Sequence, residues 1–167
     1  MEIFISTFLK IFFLMTPFFV LTMFLTITQD ATIRQRKALA IKVTISVTII
    51  SLILLFFGKH IFSIFGITLD AFRIGAGALL FLTAVDLVKG TEHTSKVGHK
   101  DISQVAVVPL SIPMIIGPGT TGILLVMGAT FDNTSSMFMG SLSLLLAVLS
   151  IGLMLYTSNI KKKIIGK

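Results

Sequence analysis

Apolar residues run along this chain in five long blocks, at about 3–28, 39–57, 70–90, 103–130 and 135–160, separated by short polar stretches. A block of ~20 apolar residues is long enough to cross the hydrocarbon core of a bilayer. The second block, "ALAIKVTISVTIISLILLFF", is rich in β-branched residues. It still predicts a helix, because a span in lipid must satisfy its backbone internally. The opening "MEIFISTFLKIFFLMTPFFVLTMFLTIT" reads as a first span and not as a cleavable signal: its apolar region is too long and no small-residue cleavage site follows. The pattern therefore predicts an all-α protein, a polytopic transmembrane helical bundle, with the short loops making 1–167 a single transmembrane domain. "GKHIFSIFGI", after the second block, reads as an interfacial segment with His60 near the outer surface.

Composition agrees. Of 167 residues, 54% are hydrophobic and 13% charged, and the mean hydropathy is +1.01; a soluble domain carries about a quarter charged residues. The net charge of +7 raises nucleic acid as a partner, but the placement of the charges argues against it. Arg34, Arg36, Lys37 and Lys42 follow the first span, Lys89, Lys96 and Lys100 the third, and Lys161, Lys162, Lys163 and Lys167 the last. Eleven of the 14 basic residues thus fall in alternate loops. Positive-inside topology explains this and predicts an external N-terminus with a cytoplasmic tail. Tyr156, the only Tyr, reads with Lys161 to Lys163 as an inner-face anchor. The expected partner is the lipid bilayer, with no nucleic acid.

Catalytic chemistry finds little footing. Cysteine is absent, which excludes disulfides and thiolate metal sites. His60, His93 and His99 lie in or near loops, "EHTSKVGH" has no zinc spacing, and no Ser/His/Asp arrangement stands out. The expectation is no enzyme, no metal and no cofactor. Asp70 and Arg73 stand at (i, i+3), able to neutralise each other. Gly75, Gly77 and Ala78 offer small surfaces for a neighbouring helix. Ser136, Gly140, Ser143, Ala147 and Ser150 form a small-residue stripe on the fifth block that reads as packing. Asp86, four residues before the end of its span, reads as reaching the cytoplasmic surface.

Two spans carry interruptions. Block four, 28 residues long, would run about 42 Å as one helix against a core of ~30 Å, so it has length to spare for a break at Gly117, Pro118 and Gly119. Pro118 removes a donor and the glycines weaken the helix around it. Thr120 or Thr121 can cap the restart, whose free N–H groups favour a carboxylate. In "LMTPFF", Thr16 and Pro17 follow the order of an N-cap and first helical residue. Interrupted first and fourth spans of opposite sense point to an inverted-repeat transporter with a midplane site.

With "FGITLDAFRIGAGALLFLTAVD" and "PLSIPMIIGPGTTG" the chain resembles the MarC family, also called UPF0056 or neutral amino-acid transporter-like membrane proteins, over nearly its whole length to about residue 155. The resemblance implies six spans in two inverted repeats, in the bacterial cytoplasmic (inner) membrane, and transport of small neutral amino acids. Ile112, Pro113, Gly117, Pro118 and Gly119 match the family's second repeat. The first repeat departs: the family reads roughly Asn-Pro-x-Gly-Asn-x-Pro, whereas here Thr16 replaces the Asn, Pro17 is kept, and Phe19, Val20 and Thr22 replace the Gly, second Asn and second Pro. A sixth span is not matched after "IKKKIIGK", so a truncated product and a diverged member completed as a homo-oligomer both stay open. The implied ligand is a small neutral amino acid at Thr16, Pro17, Ile116, Gly117, Pro118, Gly119, Thr120 and Thr121. Its carboxylate would meet N–H groups of Gly119 to Thr121, and its ammonium the carbonyls of Ile116 and Gly117. The alternative is a non-transporting membrane subunit that packs against a partner.

Overall fold

The structure is a computed structural model describing residues 2–89, 115–131 and 133–158, without the side chains of Glu2, Ile3, Thr83, Asp86, Leu87 and Lys89. The readings of Asp86, His93, His99, Ile112, Pro113 and Lys161 to Lys163 lie outside the described residues or side chains. Six helices are described and, among these residues, no strand: α1 (Glu2–Leu14), α2 (Pro17–Ile27), α3 (Ile33–Phe65), α4 (Leu69–Lys89), α5 (Pro118–Thr130) and α6 (Thr134–Thr157). The all-α helical bundle expected from the apolar blocks is what forms. Among the described residues, three stretches are long and apolar enough to cross a membrane: Phe4–Ile27, Ile33–Phe65 and Thr134–Thr157.

The helix of the second apolar block, α3, is much longer than that block. α3 has 33 residues, about 50 Å at 1.5 Å per residue, and "GKHIFSIF" continues it as helix. Local signals set its ends. A capping box opens it, with the Gln35 N–H donating to Thr32 Oγ1 at 3.3 Å and the Thr32 N–H to Gln35 Oε1 at 2.9 Å. Gly66 closes it at φ 61, where the Ile67 N–H donates to the Phe62 carbonyl at 3.3 Å and that of Gly66 to Ser63 at 3.4 Å, a Schellman closure that only a residue tolerant of positive φ supports. Exposed His60 stays inside this helix, its ring 6.1 Å from that of Phe57.

One hydrophobic cluster joins α1, α2, α3, α5 and α6 through Ile11, Met15, Val20, Phe24, Val43, Val47, Leu124, Leu144 and Val148. Burying side chains of this size against neighbours in lipid rests on packing more than on water exclusion, which makes close approach decisive. α3 and α5 approach closely at Gly58 and Gly128. A Cβ at Gly58 would fall 2.5 Å from the Leu125 carbonyl oxygen, and one at Gly128 would collide with that of Leu55. The stripe on α6 packs as expected, with Gly140, Ser143 and Ala147 buried. Gly140 lies under the Phe131 ring, and Ser143 Oγ donates to the Met139 carbonyl at 2.9 Å.

The small residues of α4 behave otherwise. Gly75, Gly77 and Ala78 are exposed, and a Cβ at Gly75 or Gly77 would meet nothing within 4 Å. α4 instead meets α5 through Phe72, Ala76 and Leu80, because the small side chain of Ala76 faces Gly122 and leaves the glycine face turned outward. Asp70 and Arg73 do pair, at 3.0 Å and on the surface. At the opposite end the buried Arg36 ties α3 to the end of α2: its Nε donates to the Thr28 carbonyl at 2.8 Å and Nη2 to that of Gln29 at 2.9 Å. Cations suit a helix C-terminus, where carbonyls lack intrahelical donors. Next to it, Lys37 Nζ stands 4.9 Å from the centre of the Tyr156 ring.

Candidate functional site at two helix breaks

The first span breaks where Thr16 meets Pro17. α1 ends at Leu14, Thr16 turns to φ 46, ψ 60, and α2 starts with Pro17. Thr16 is the only non-glycine residue of positive φ among the described residues. It occupies the N-cap position, as the Thr-Pro order predicts, yet its side chain makes no capping bond. The left-handed backbone accounts for this, since a capping side chain needs the extended conformation to reach back to the helix. The Thr16 carbonyl nevertheless accepts the first bond of α2, from the Val20 N–H at 3.0 Å. Thr16 itself is exposed, whereas Met15 and Pro17 on either side are buried.

The fourth span restarts at Pro118. Its N-cap is Gly117, extended at φ −75, ψ −179, which corrects the assignment of the cap to Thr120 or Thr121. Both threonines fall inside the first turn because Pro118, lacking an N–H, starts the helix itself. Thr120 takes a different part: 2% exposed, it donates through Oγ1 to the Ile115 carbonyl at 3.0 Å, bridging the break from within. The Thr121 N–H donates to the Gly117 carbonyl at 2.9 Å. Of the polar groups expected to hold a zwitterion, these two are therefore spent on each other. The Gly119 and Thr120 N–H groups and the Ile116 carbonyl have no hydrogen bond among the described residues; they belong to the first turn and to the break, where intrahelical partners run out.

The two breaks meet. A Cβ at Gly119 would stand 3.5 Å from Leu14 Cδ1, at the end of α1, and 2.7 Å from Leu80 Cδ2 on α4. Ile115 and Ile116 join Ile11 and Met15 in the same buried cluster. So the end of α1 stands beside the start of α5, and the eight residues named from the sequence are not equivalent. Ile116, Gly119 and Thr120 are buried, Gly117, Pro118 and Thr121 are half-buried, and Thr16 faces outward. Leu14 and Leu80, which lie within quoted stretches but were not singled out there, form the wall over Gly119. They could have been found only by knowing which helices touch. Phe19, which stands where the family has Gly, is 46% exposed and is not part of the buried cluster.

Comparison with known proteins agrees with this architecture. The model of the MarC family integral membrane protein matches residues 1–167. A UPF0056 membrane protein of Buchnera aphidicola subsp. Acyrthosiphon pisum is 33% identical over 153 residues, covering 87% of this chain and 71% of that protein. Two UPF0056 membrane proteins of Methanocaldococcus jannaschii are 32% identical over 154 residues and 36% identical over 120 residues. The first alignment covers 89% of this chain and 75% of the relative, the second 68% and 53%. The chain thus spans between about half and three quarters of the length of these relatives. No solved structure matches it. On the family match over its whole length, the chain belongs to the MarC family of integral membrane proteins.

Proposed function

We propose that this protein works as a secondary transporter of small neutral amino acids and not as an enzyme. The observation that supports this best is the approach of Leu14 Cδ1 to within 3.5 Å of where a Cβ on Gly119 would stand, which brings the end of α1 beside the start of α5. Interrupted helices that meet inside a membrane bundle expose backbone dipoles where a polar solute can be held without a charged side chain. A zwitterion's carboxylate would sit against the Gly119 and Thr120 N–H groups, and its ammonium group against the Ile116 carbonyl. Leu80 and Leu14 would cover its side chain and limit its size.

Counterflow of glycine, alanine and serine into proteoliposomes tests this. The wild type is expected to exchange all three, and Leu80→Ala to admit valine as well, because the wall over Gly119 recedes. Failure of the wild type to exchange any of them would sink the reading. The alternative, a membrane subunit that packs against a partner, has its own observation. Ile74 and Phe81 on α4 and Phe18 on α2 are 75%, 69% and 70% exposed on apolar helix faces. An inert wild type would favour it.

A further inference from the structure

Several helical hydroxyls in this bundle share one habit. In α3, Thr44 donates to the Ala40 carbonyl and Thr48 to that of Thr44, both at 2.8 Å. In α6, Ser143 and Ser150 donate to Met139 and Leu146. Each satisfies its hydroxyl on the carbonyl one turn back, the usual solution where no water is at hand. Ser51 departs from it. The residue is fully buried, and among the described residues its Oγ has no hydrogen-bond partner. The carbonyl of Val47, one turn back, is not used.

Ser51 stands in the buried row of α3 formed by Val43, Val47, Ser51, Leu55 and Gly58. Val47 and Ile115, the latter just before the fourth-span break, border one small apolar gap between α3 and α6. Leu55 presents its carbonyl to Gly128, near the far end of α5. Ser51 lies between these two levels, which puts it beside the first two turns of α5. These are the turns that begin with the Gly119 and Thr120 N–H groups. A buried hydroxyl without a partner is costly, and alanine would pack in the same space without that cost.

We propose that Ser51 is a substrate-binding residue on the α3 wall of the site at the fourth-span break, its hydroxyl donating to the carboxylate held by the first turn of α5. This rests on the transporter reading above. A hydroxyl adds a donor to two backbone N–H groups without adding a charge that would need its own partner. Because Ser51 is sealed in the arrangement described, ligand entry requires a second arrangement in which α3 and α5 part at this level.

The absence of cysteine makes the test direct, since Ser51→Cys introduces a unique thiol into the full chain. In proteoliposomes a small, water-soluble methanethiosulfonate is expected to modify that thiol, and alanine to slow the reaction. Leu144→Cys, at a buried position of α6, is expected to stay unreactive. Ser51→Ala is expected to weaken alanine binding about tenfold, the loss of one hydrogen bond to a charged group. Its melting temperature without ligand should equal or exceed that of the wild type. An unreactive thiol at position 51, equal reactivity at 51 and 144, or a lower melting temperature for ligand-free Ser51→Ala would each overturn the assignment. If the wild type binds no small neutral amino acid, the transporter reading falls and this assignment with it. If the wild type binds alanine and Ser51→Ala binds it equally well, only the assignment of Ser51 falls.

Discussion

The Thr120 hydroxyl donates to the Ile115 carbonyl at 3.0 Å, and so ties the first turn of α5 to the chain on the other side of its break. Both residues are buried, so the carbonyl has no water to replace that donor. Thr120→Val keeps the shape and removes the bond, and is expected to cost about 1–3 kcal/mol, the penalty for a buried acceptor left unmade. Thr120→Ser should restore most of it. Thermal unfolding in detergent measures both, and a Thr120→Val protein melting like the wild type would show that the bridge does not hold the break.

Thr16 sits in a left-handed conformation that β-branched residues disfavour, and its hydroxyl caps nothing. Thr16→Val should therefore change stability by less than the ~1 kcal/mol that a true N-cap loses. Thr16→Asn should stabilise by up to about 1 kcal/mol, since Asn tolerates this region better than other residues with a side chain, glycine apart. The family pattern with Asn before this proline fits the same backbone. Comparing the two melting temperatures with that of the wild type decides whether strain or capping governs the position.

Arg36 is 5% exposed and bonds two carbonyls at the end of α2. Arg36→Ala removes two charge-assisted hydrogen bonds and is expected to destabilise by about 3 kcal/mol. Arg36→Lys should recover only part of this, because a single ammonium group cannot match a planar fork at two acceptors. Limited proteolysis near 28–32, beside unfolding curves, would register the loosened end. Equal protection in wild type and Arg36→Ala would contradict the tie.

Glycines separate into two kinds. Gly128→Ala places a methyl group against the Leu55 carbonyl and is expected to cost about 2 kcal/mol or more by forcing α3 and α5 apart. Gly75→Ala meets open space and should be neutral or stabilise by about 0.5–1 kcal/mol through helix propensity. Unfolding of the two variants side by side is the measurement, and equal effects would mean that the close crossing is not where the bundle is held.

Orientation follows from the basic residues in alternate loops. Reporter fusions at residue 31 are expected to read cytoplasmic and at residue 133 external. The reverse at both positions would overturn the assigned sense of every span.

The sequence by itself determined the class of fold, because a run of apolar residues long enough to cross a bilayer leaves the backbone one solution, the helix. It also determined that Pro17 starts a new helix and that the fourth span is interrupted at Pro118, since the missing N–H is a property of the residue and needs no neighbour; the exact restart, at Pro118 itself and not after a Thr120 or Thr121 cap, came from the structure. Helix ends were legible only where they are local: the Thr32 and Gln35 box and Gly66 set the limits of α3, against the hydropathy that suggested a shorter span. What only the tertiary structure decided is which groups at the breaks are still available. The Thr121 N–H and the Gly117 carbonyl satisfy each other, and Thr120 turns inward to Ile115, choices that depend on how the chain bends after Ile116. The wall over Gly119 from Leu14 and Leu80, the outward glycine face of α4 and the hydroxyl of Ser51, without a partner among the described residues, likewise arise from which helices touch. Apolar residues on every side of a span carry no record of the side that faces protein, so that choice is made by close packing alone.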